Sequence, residues 1–112
     1  MSFIKEENES TIKEGKANRV MLLASQGGNL HLSNKRIVFV SHKFNLGKGT
    51  ISIDLKDILT YGRGCTFNLF FPIPIPNAIK IITRDGNTFR FTVYGRKKWI
   101  AGLEQIINQK EV

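Results

Sequence analysis

The sequence predicts a mainly β domain: about seven short strands followed by one C-terminal helix. Three observations carry this. Runs of β-branched and aromatic residues recur between turn signals rich in Gly, Asn and Asp. The apolar period is two residues as far as Val93 and becomes helical after Gly95. The length, 112 residues, is that of one domain, with room for one core and not for two.

The elements read in order as follows. Arg19–Ser25 opens the series with the apolar run Val20, Met21, Leu22, Leu23. Gln26-Gly27-Gly28-Asn29 reads as a turn, because glycine enters positive φ at no steric cost. Leu30-His31-Leu32 alternates, Ser33-Asn34-Lys35 turns again, and Ile37–Val40 is a β-branched and aromatic run. A loop follows from His42 to Gly49. Ile51, Ile53 and Leu55 alternate with Thr50, Ser52 and Asp54, the mark of a half-buried strand. Ile58–Tyr61 is a fifth strand. Ile79, Ile81 and Thr83 precede Arg84-Asp85-Gly86-Asn87, and Phe89, Phe91 and Val93 follow it. Asp-Gly between two alternating runs is the strongest hairpin signal in the chain.

From Arg96 the period changes. Trp99, Ile100, Leu103, Ile106 and Ile107 fall on one helical stripe. Gly102 weakens that helix by about 1 kcal/mol relative to Ala. A helix of roughly 12–14 residues is not stable alone. Its stripe must cover something, and the open end of a small barrel is the natural place.

The charge is uneven. Residues 1–14 hold two lysines and four glutamates, net −2, and form an acidic N-terminal tail or lead-in. Residues 15–112 are the single domain. Within them, Gly15–Trp99 holds 14 basic and three acidic residues, net +11, and Ile100–Val112 is net −1. The total of +8 favours anionic partners without choosing among lipid, nucleic acid and an acidic protein face. One cysteine, Cys65, allows no intrachain disulfide and suits a reducing compartment. No apolar run approaches the ~18–20 residues of a membrane span. The glutamate-rich start lacks the apolar centre of a signal peptide. The expected place is the cytoplasm, with peripheral association at the membrane.

Catalysis finds little support. A nucleophile needs a positioned base, and the histidines are only His31 and His42. His31, between Leu30 and Leu32, points away from their face and is expected to be exposed; His42 falls in a loop. Cys65 is expected to be a small buried residue. Two His and one Cys offer no zinc-ligand spacing. Gly47-Lys48-Gly49-Thr50 lacks the earlier glycine of a phosphate loop, since His42 stands there. The expectation is no enzyme, no cofactor and no metal.

Four stretches carry a family resemblance. They are Gly28–Ser41, with its strand, basic turn and Ile37-x-Phe39-x-Ser41; Ile51–Ile58; the hairpin Ile79–Gly86 with Phe89-Arg90-Phe91; and Arg96-Lys97-Lys98-Trp99-Ile100. Their order and spacing over about Gly15–Asn108 resemble a GRAM domain of the bacterial single-domain type, within the pleckstrin-homology-like (PH-like) superfold. The resemblance implies a bent antiparallel β-barrel or sandwich of seven strands capped by the helix. It also implies a non-catalytic module associated with membranes, phosphoinositides or protein partners. Phosphoinositide-binding relatives carry a basic motif in the first inter-strand loop. Here Ser25–Asn29 would be that loop, and it has no Lys or Arg.

Two sets of candidate site residues follow. The basic set, for lipid or another anion, is Lys35, Arg36, Lys43, Lys48, Arg96, Lys97 and Lys98. Three cations at a helix N-terminus oppose the macrodipole, which points to a use elsewhere. The apolar set is Phe67, Phe70, Phe71, Ile73 and Ile75, in the charge-free segment Phe67–Pro76. Pro72, Pro74 and Pro76 cannot donate to a ladder and favour an extended path. Such a loop packs on the barrel, enters a membrane interface or docks with another chain. The first functional reading is peripheral association with anionic membrane lipid. The alternative is a protein-interaction or self-association module, a homo-oligomer included, using the apolar loop or a strand edge. Nucleic-acid binding ranks last, because Lys35–Val40 lacks the glycines of an RNA-recognition core motif.

Overall fold

Seven strands form one antiparallel sheet: β1 (Thr11–Val20), β2 (Ser25–Ser33), β3 (Arg36–Ser41), β4 (Thr50–Asp54), β5 (Ile58–Asn68), β6 (Phe71–Thr83) and β7 (Thr88–Val93). A helix, α1 (Arg96–Lys110), follows. The computed structural model describes residues 4–21, 25–42, 50–68 and 71–110. The strand order is β4-β3-β2-β1-β7-β6-β5. β1 is shared: it pairs with β2 along most of its length, and Ala17–Val20 also pair with β7. Two meanders joined through one strand curl into a half-barrel, as expected for a mainly β domain closed by a terminal helix.

The concave face is the core. Alternation on each strand supplies Leu30, Leu32, Ile37, Phe39, Ile53, Ile79, Ile81, Phe91 and Val93, and α1 supplies Trp99, Leu103 and Ile106. Phe39 and Phe91 meet across the fold, ring centroids 5.4 Å apart. The helical stripe therefore docks as its period requires. Gly15 lies beside Trp99, where a Cβ would be in ordinary contact with the indole at 3.7 Å. Gly102 lets α1 approach Leu32 closely, since a Cβ would meet its Cδ2 at 3.3 Å. Lys13 lies over the Trp99 ring at 5.3 Å.

Several local expectations are corrected. The first strand is Thr11–Val20, not Arg19–Ser25, and it begins before Gly15. Its inward side carries Gly15 and Ala17 between Lys13, which lies over the Trp99 ring, and Arg19, which lies over the Phe89 ring, so no apolar run announces it. Gln26–Asn29 is not a turn but part of β2. The sequence between β1 and β2, residues 21–24, also lacks Lys and Arg, and Leu22, Leu23 and Ala24 lie outside the described residues. Gly28 serves close approach rather than positive φ: a Cβ there would strike the Val40 carbonyl and lie 2.8 Å from the Phe39 ring. The Asp-Gly hairpin forms as expected, with Gly86 at φ +91 and Thr83 N–H donating to Asn87 O at 2.9 Å.

The segment Phe67–Pro76 is not a free loop. β5 runs on to Asn68 and β6 starts at Phe71, with Thr66 opposite Ile75 and Asn68 opposite Phe71. The pairing of β6 with β7 begins only at Ala78. Residues 71–77 thus form a two-stranded arm with β5 beyond the main sheet. Pro72, Pro74 and Pro76 alternate, so their missing donors fall on one edge, and β7 does not reach that far.

Two glycines should behave oppositely. Gly28→Ala should cost about 1–3 kcal/mol by overpacking against backbone. Gly62→Ala, with nothing within 4 Å of the added Cβ, should be neutral or stabilise by a few tenths of a kcal/mol. Urea unfolding of the two variants checks this.

Candidate functional site: the convex face of β1, β7 and β6

Among the described residues, the predicted basic residues fall into two separate groups. Lys35 and Arg36 lie at the β2–β3 turn, beside a cavity of about 430 Å³ that is also lined by Ile107, near the C-terminal end of α1. Arg96, Lys97 and Lys98 form its first turn. At 1.5 Å per residue the two sets are about 15 Å apart along the helix. Lys43 and Lys48 lie outside the described residues.

Arg36 is structural. Its Nε donates to Glu9 Oε2 at 3.0 Å and its Nη2 to Glu9 Oε1 at 3.1 Å, a bidentate pair. It also reaches Ser52 Oγ and the Ile4 carbonyl. Ser33 Oγ donates to Glu9 Oε2 at 2.5 Å. The guanidinium holds the Glu9 carboxyl down at about 2, although burial opposes the shift. The pair ties the N-terminal residues to the β2–β3 turn. Lys35 Nζ donates to the Glu7 carbonyl. The cavity beside it also holds Lys56 and Arg84, with Glu6 and Asp54 in its wall. Arg84 donates to the Lys56 carbonyl at 3.0 Å. Cations here balance local acids and complement the helix C-terminus.

A second set of cations is assembled by strand register. Lys80 on β6 stands directly opposite Arg90 on β7, and Arg90 opposite Val20 on β1. Their neighbours Ile79, Ile81 and Phe91 are buried in the core, so Lys80 and Arg90 project from the convex face. Gly62 is opposite Lys80 on β5, leaving that row flat. The next row is Ala78, Thr92 and Asn18. Lys16 follows on the same face of β1, about 13 Å from the Arg90 row at 3.3 Å per residue, with Glu14 beside it. Adjoining these rows is a groove of about 420 Å³, whose lining includes Lys16, Asn18, Gly27, His42, Asn77 and Thr92 and no Asp or Glu. Tyr94 stands at its margin, 86% exposed.

The hairpin arm is attached to this face. Thr66 Oγ1 and Thr92 Oγ1 are 2.5 Å apart, and Thr66 also donates to Asn77 Oδ1. Bulges on both sides of Thr66 bend the arm there. Ile75 is exposed at its base. The side chains of Phe67, Phe71 and Ile73, and all of Phe70, lie outside the described residues.

Two single-residue expectations are overturned. His31 is buried at 5%, with Nδ1 3.0 Å from the Glu14 carboxylate. Alternation assigned it to the correct face, but that face is closed over β2 and β3, where Val38 and Val40 are buried too. Cys65 is exposed, because it falls at the bulged edge of β5 rather than in the core. Among the described residues no cluster of three or more His, Cys, Asp or Glu could hold a metal. No helix among them is long and apolar enough to cross a membrane.

Solved structures share this architecture. The C-terminal domain of an unknown protein from Leishmania infantum superposes with a TM-score of 0.72 at 20% identity, covering 90% of this chain and 86% of that one. The Vps36 N-terminal PH domain gives 0.68 at 11% identity over 95% and 84%. The N-terminal PH domain of human ARAP2 gives 0.66 at 16% over 89% and 82%. The fold is therefore PH-like. No protein-family model matches the chain, and no curated protein matches it.

The Glu9–Arg36 pair sets an acid limit. The folded Glu9 value of about 2 lies below the ordinary 4.5, so its stabilisation is complete above pH 4.5. It is lost as pH falls from there towards 2. The difference corresponds to about 3 kcal/mol. Glu9→Gln should remove that dependence and lower stability near neutrality by a similar amount, as read by urea unfolding across pH.

Proposed function

We propose that this chain is a non-catalytic, GRAM-like binding module that associates peripherally with anionic membrane lipid through the convex face of β1, β7 and β6. One observation carries the proposal: Lys80 and Arg90 directly opposite each other on a flat surface. Like charges in a direct cross-strand pair disfavour the sheet, and an anionic surface would convert that repulsion into attraction. Lys16 lies farther along the same face of β1, beside Glu14.

Magnitudes support the pairing of this face with the apolar arm. Each cation near an anionic leaflet contributes about 1 kcal/mol. Lys16, Lys80 and Arg90 together reach only millimolar affinity. One large apolar side chain from the arm, inserted in the interface, adds about 1.5–3 kcal/mol. The sum approaches 0.1 mM, roughly, which is useful and reversible. The acid-bearing cavity at Lys35 lacks both features.

Co-sedimentation with phosphatidylcholine vesicles, with and without one-fifth phosphatidylserine, tests this at low salt. The wild type should pellet with the anionic vesicles only, and less at high salt. Lys80→Glu with Arg90→Glu should cut the bound fraction at least fivefold, while Lys35→Glu changes it little. Equal recovery with neutral and anionic vesicles would overturn the proposal.

A further inference from the structure

We propose that the cavity beside Lys35 is a binding site for a small amphipathic carboxylate, one carboxylate group on a short apolar body. This cavity is separate from the convex face, and the inference does not rest on lipid binding. Separate parts of the chain wall it. Lys35 comes from the β2–β3 turn, Lys56 from the 3-10 turn Leu55–Asp57 between β4 and β5, and Arg84 from the β6–β7 hairpin. Ile107 comes from α1 and Glu6 from the N-terminal residues. The volume of about 430 Å³ falls in the small-molecule range of roughly 300–1,000 Å³. The floor is apolar: Leu55 and Ile58 belong to the buried core, and Ile107 packs against it.

Backbone bonds hold the cations in place. Leu55 N–H donates to the Lys35 carbonyl at 3.0 Å, and Arg84 N–H donates to the Asp57 carbonyl at 2.9 Å. Arg84 Nε donates to the Lys56 carbonyl at 3.0 Å. Each cation-bearing segment is thus fastened to the next, and the site is preorganised. The Nη donors of Arg84 remain for a carboxylate. Charge then selects the ligand. Among the described residues the ion pairs are Arg36 with Glu9 and His31 with Glu14, and neither takes Lys35, Lys56 or Arg84. Three like charges around an apolar floor repel one another, and a bound anion relieves that repulsion. Glu6 and Asp54 stand in the same wall. Three cations against two acids leave a net charge of +1, which suits one carboxylate and penalises a phosphate or a polyanion.

Chemical-shift titration of the full chain, read in ¹H–¹⁵N spectra, tests this with octanoate, acetate and octylammonium. Octanoate should shift the amides of Leu55, Lys56, Ile58, Arg84 and Ile107 saturably. Acetate lacks the apolar body and octylammonium reverses the charge, so each should bind roughly tenfold more weakly. Lys56→Glu puts an acid at the cavity and should weaken octanoate roughly fivefold, whereas Lys97→Glu, in the first turn of α1, should leave it unchanged. Both positions are exposed, so both variants keep the fold. Glu6→Gln removes a wall acid and should tighten octanoate about threefold. Absence of a saturable shift at millimolar octanoate would overturn the proposal. So would equal affinity for octanoate and acetate, unchanged affinity in Lys56→Glu, or octanoate shifts centred on the groove of Lys16 and His42.

Discussion

The docking of α1 onto the concave face is the constraint on which the rest depends. Trp99, Leu103 and Ile106 are buried there. At about 1.5–3 kcal/mol for each large apolar side chain, they contribute an amount comparable to the net stability of a small domain. Gly102 lets the helix approach Leu32 closely. Once the helix fills the concave face, polar contacts with a partner fall to the convex face and to the ends of the half-barrel. The same packing sets the helix axis, and so separates the cations at its start from those beside its end.

Charge in this molecule has two uses, told apart by partners. Arg36 is matched by Glu9 in bidentate geometry, with Ser33 and Ser52 completing the network. Its role is to hold the N-terminal residues on the β2–β3 turn. Lys80 and Arg90 face each other instead. That arrangement opposes folding slightly, by a few tenths of a kcal/mol. A cost of that kind is expected at binding surfaces, where local rules of stability yield to function.

Much of the fold was legible, because alternation in Ile79–Val93 and the helical stripe after Gly95 are strong periodic signals. At one glycine pair, size matters more than conformational freedom. Gly27-Gly28 read as a turn, whereas Gly28 makes room for Phe39 and the Val40 carbonyl. β1 carries no apolar signal because its inward side holds Lys13, Gly15, Ala17 and Arg19. The site was less legible, since adjacent lysines draw attention and cross-strand pairs do not. Yet one signal was present. The Asp85-Gly86 turn fixes the register of its hairpin, and counting outward from it places Lys80 opposite Arg90. Arg36, by contrast, looked like part of a basic run, and nothing local could reveal Glu9, 27 residues away.

The most direct measurement of the central claim is amide line broadening on nanodiscs of phosphatidylcholine and phosphatidylserine that carry a headgroup spin label. Strongest broadening at Asn18, Lys80, Arg90 and Thr92, with Lys35, Lys56 and Arg84 sharp, is the predicted result. Broadening centred on Lys35, Lys56 and Arg84, with the convex face of β6 and β7 unaffected, would contradict it.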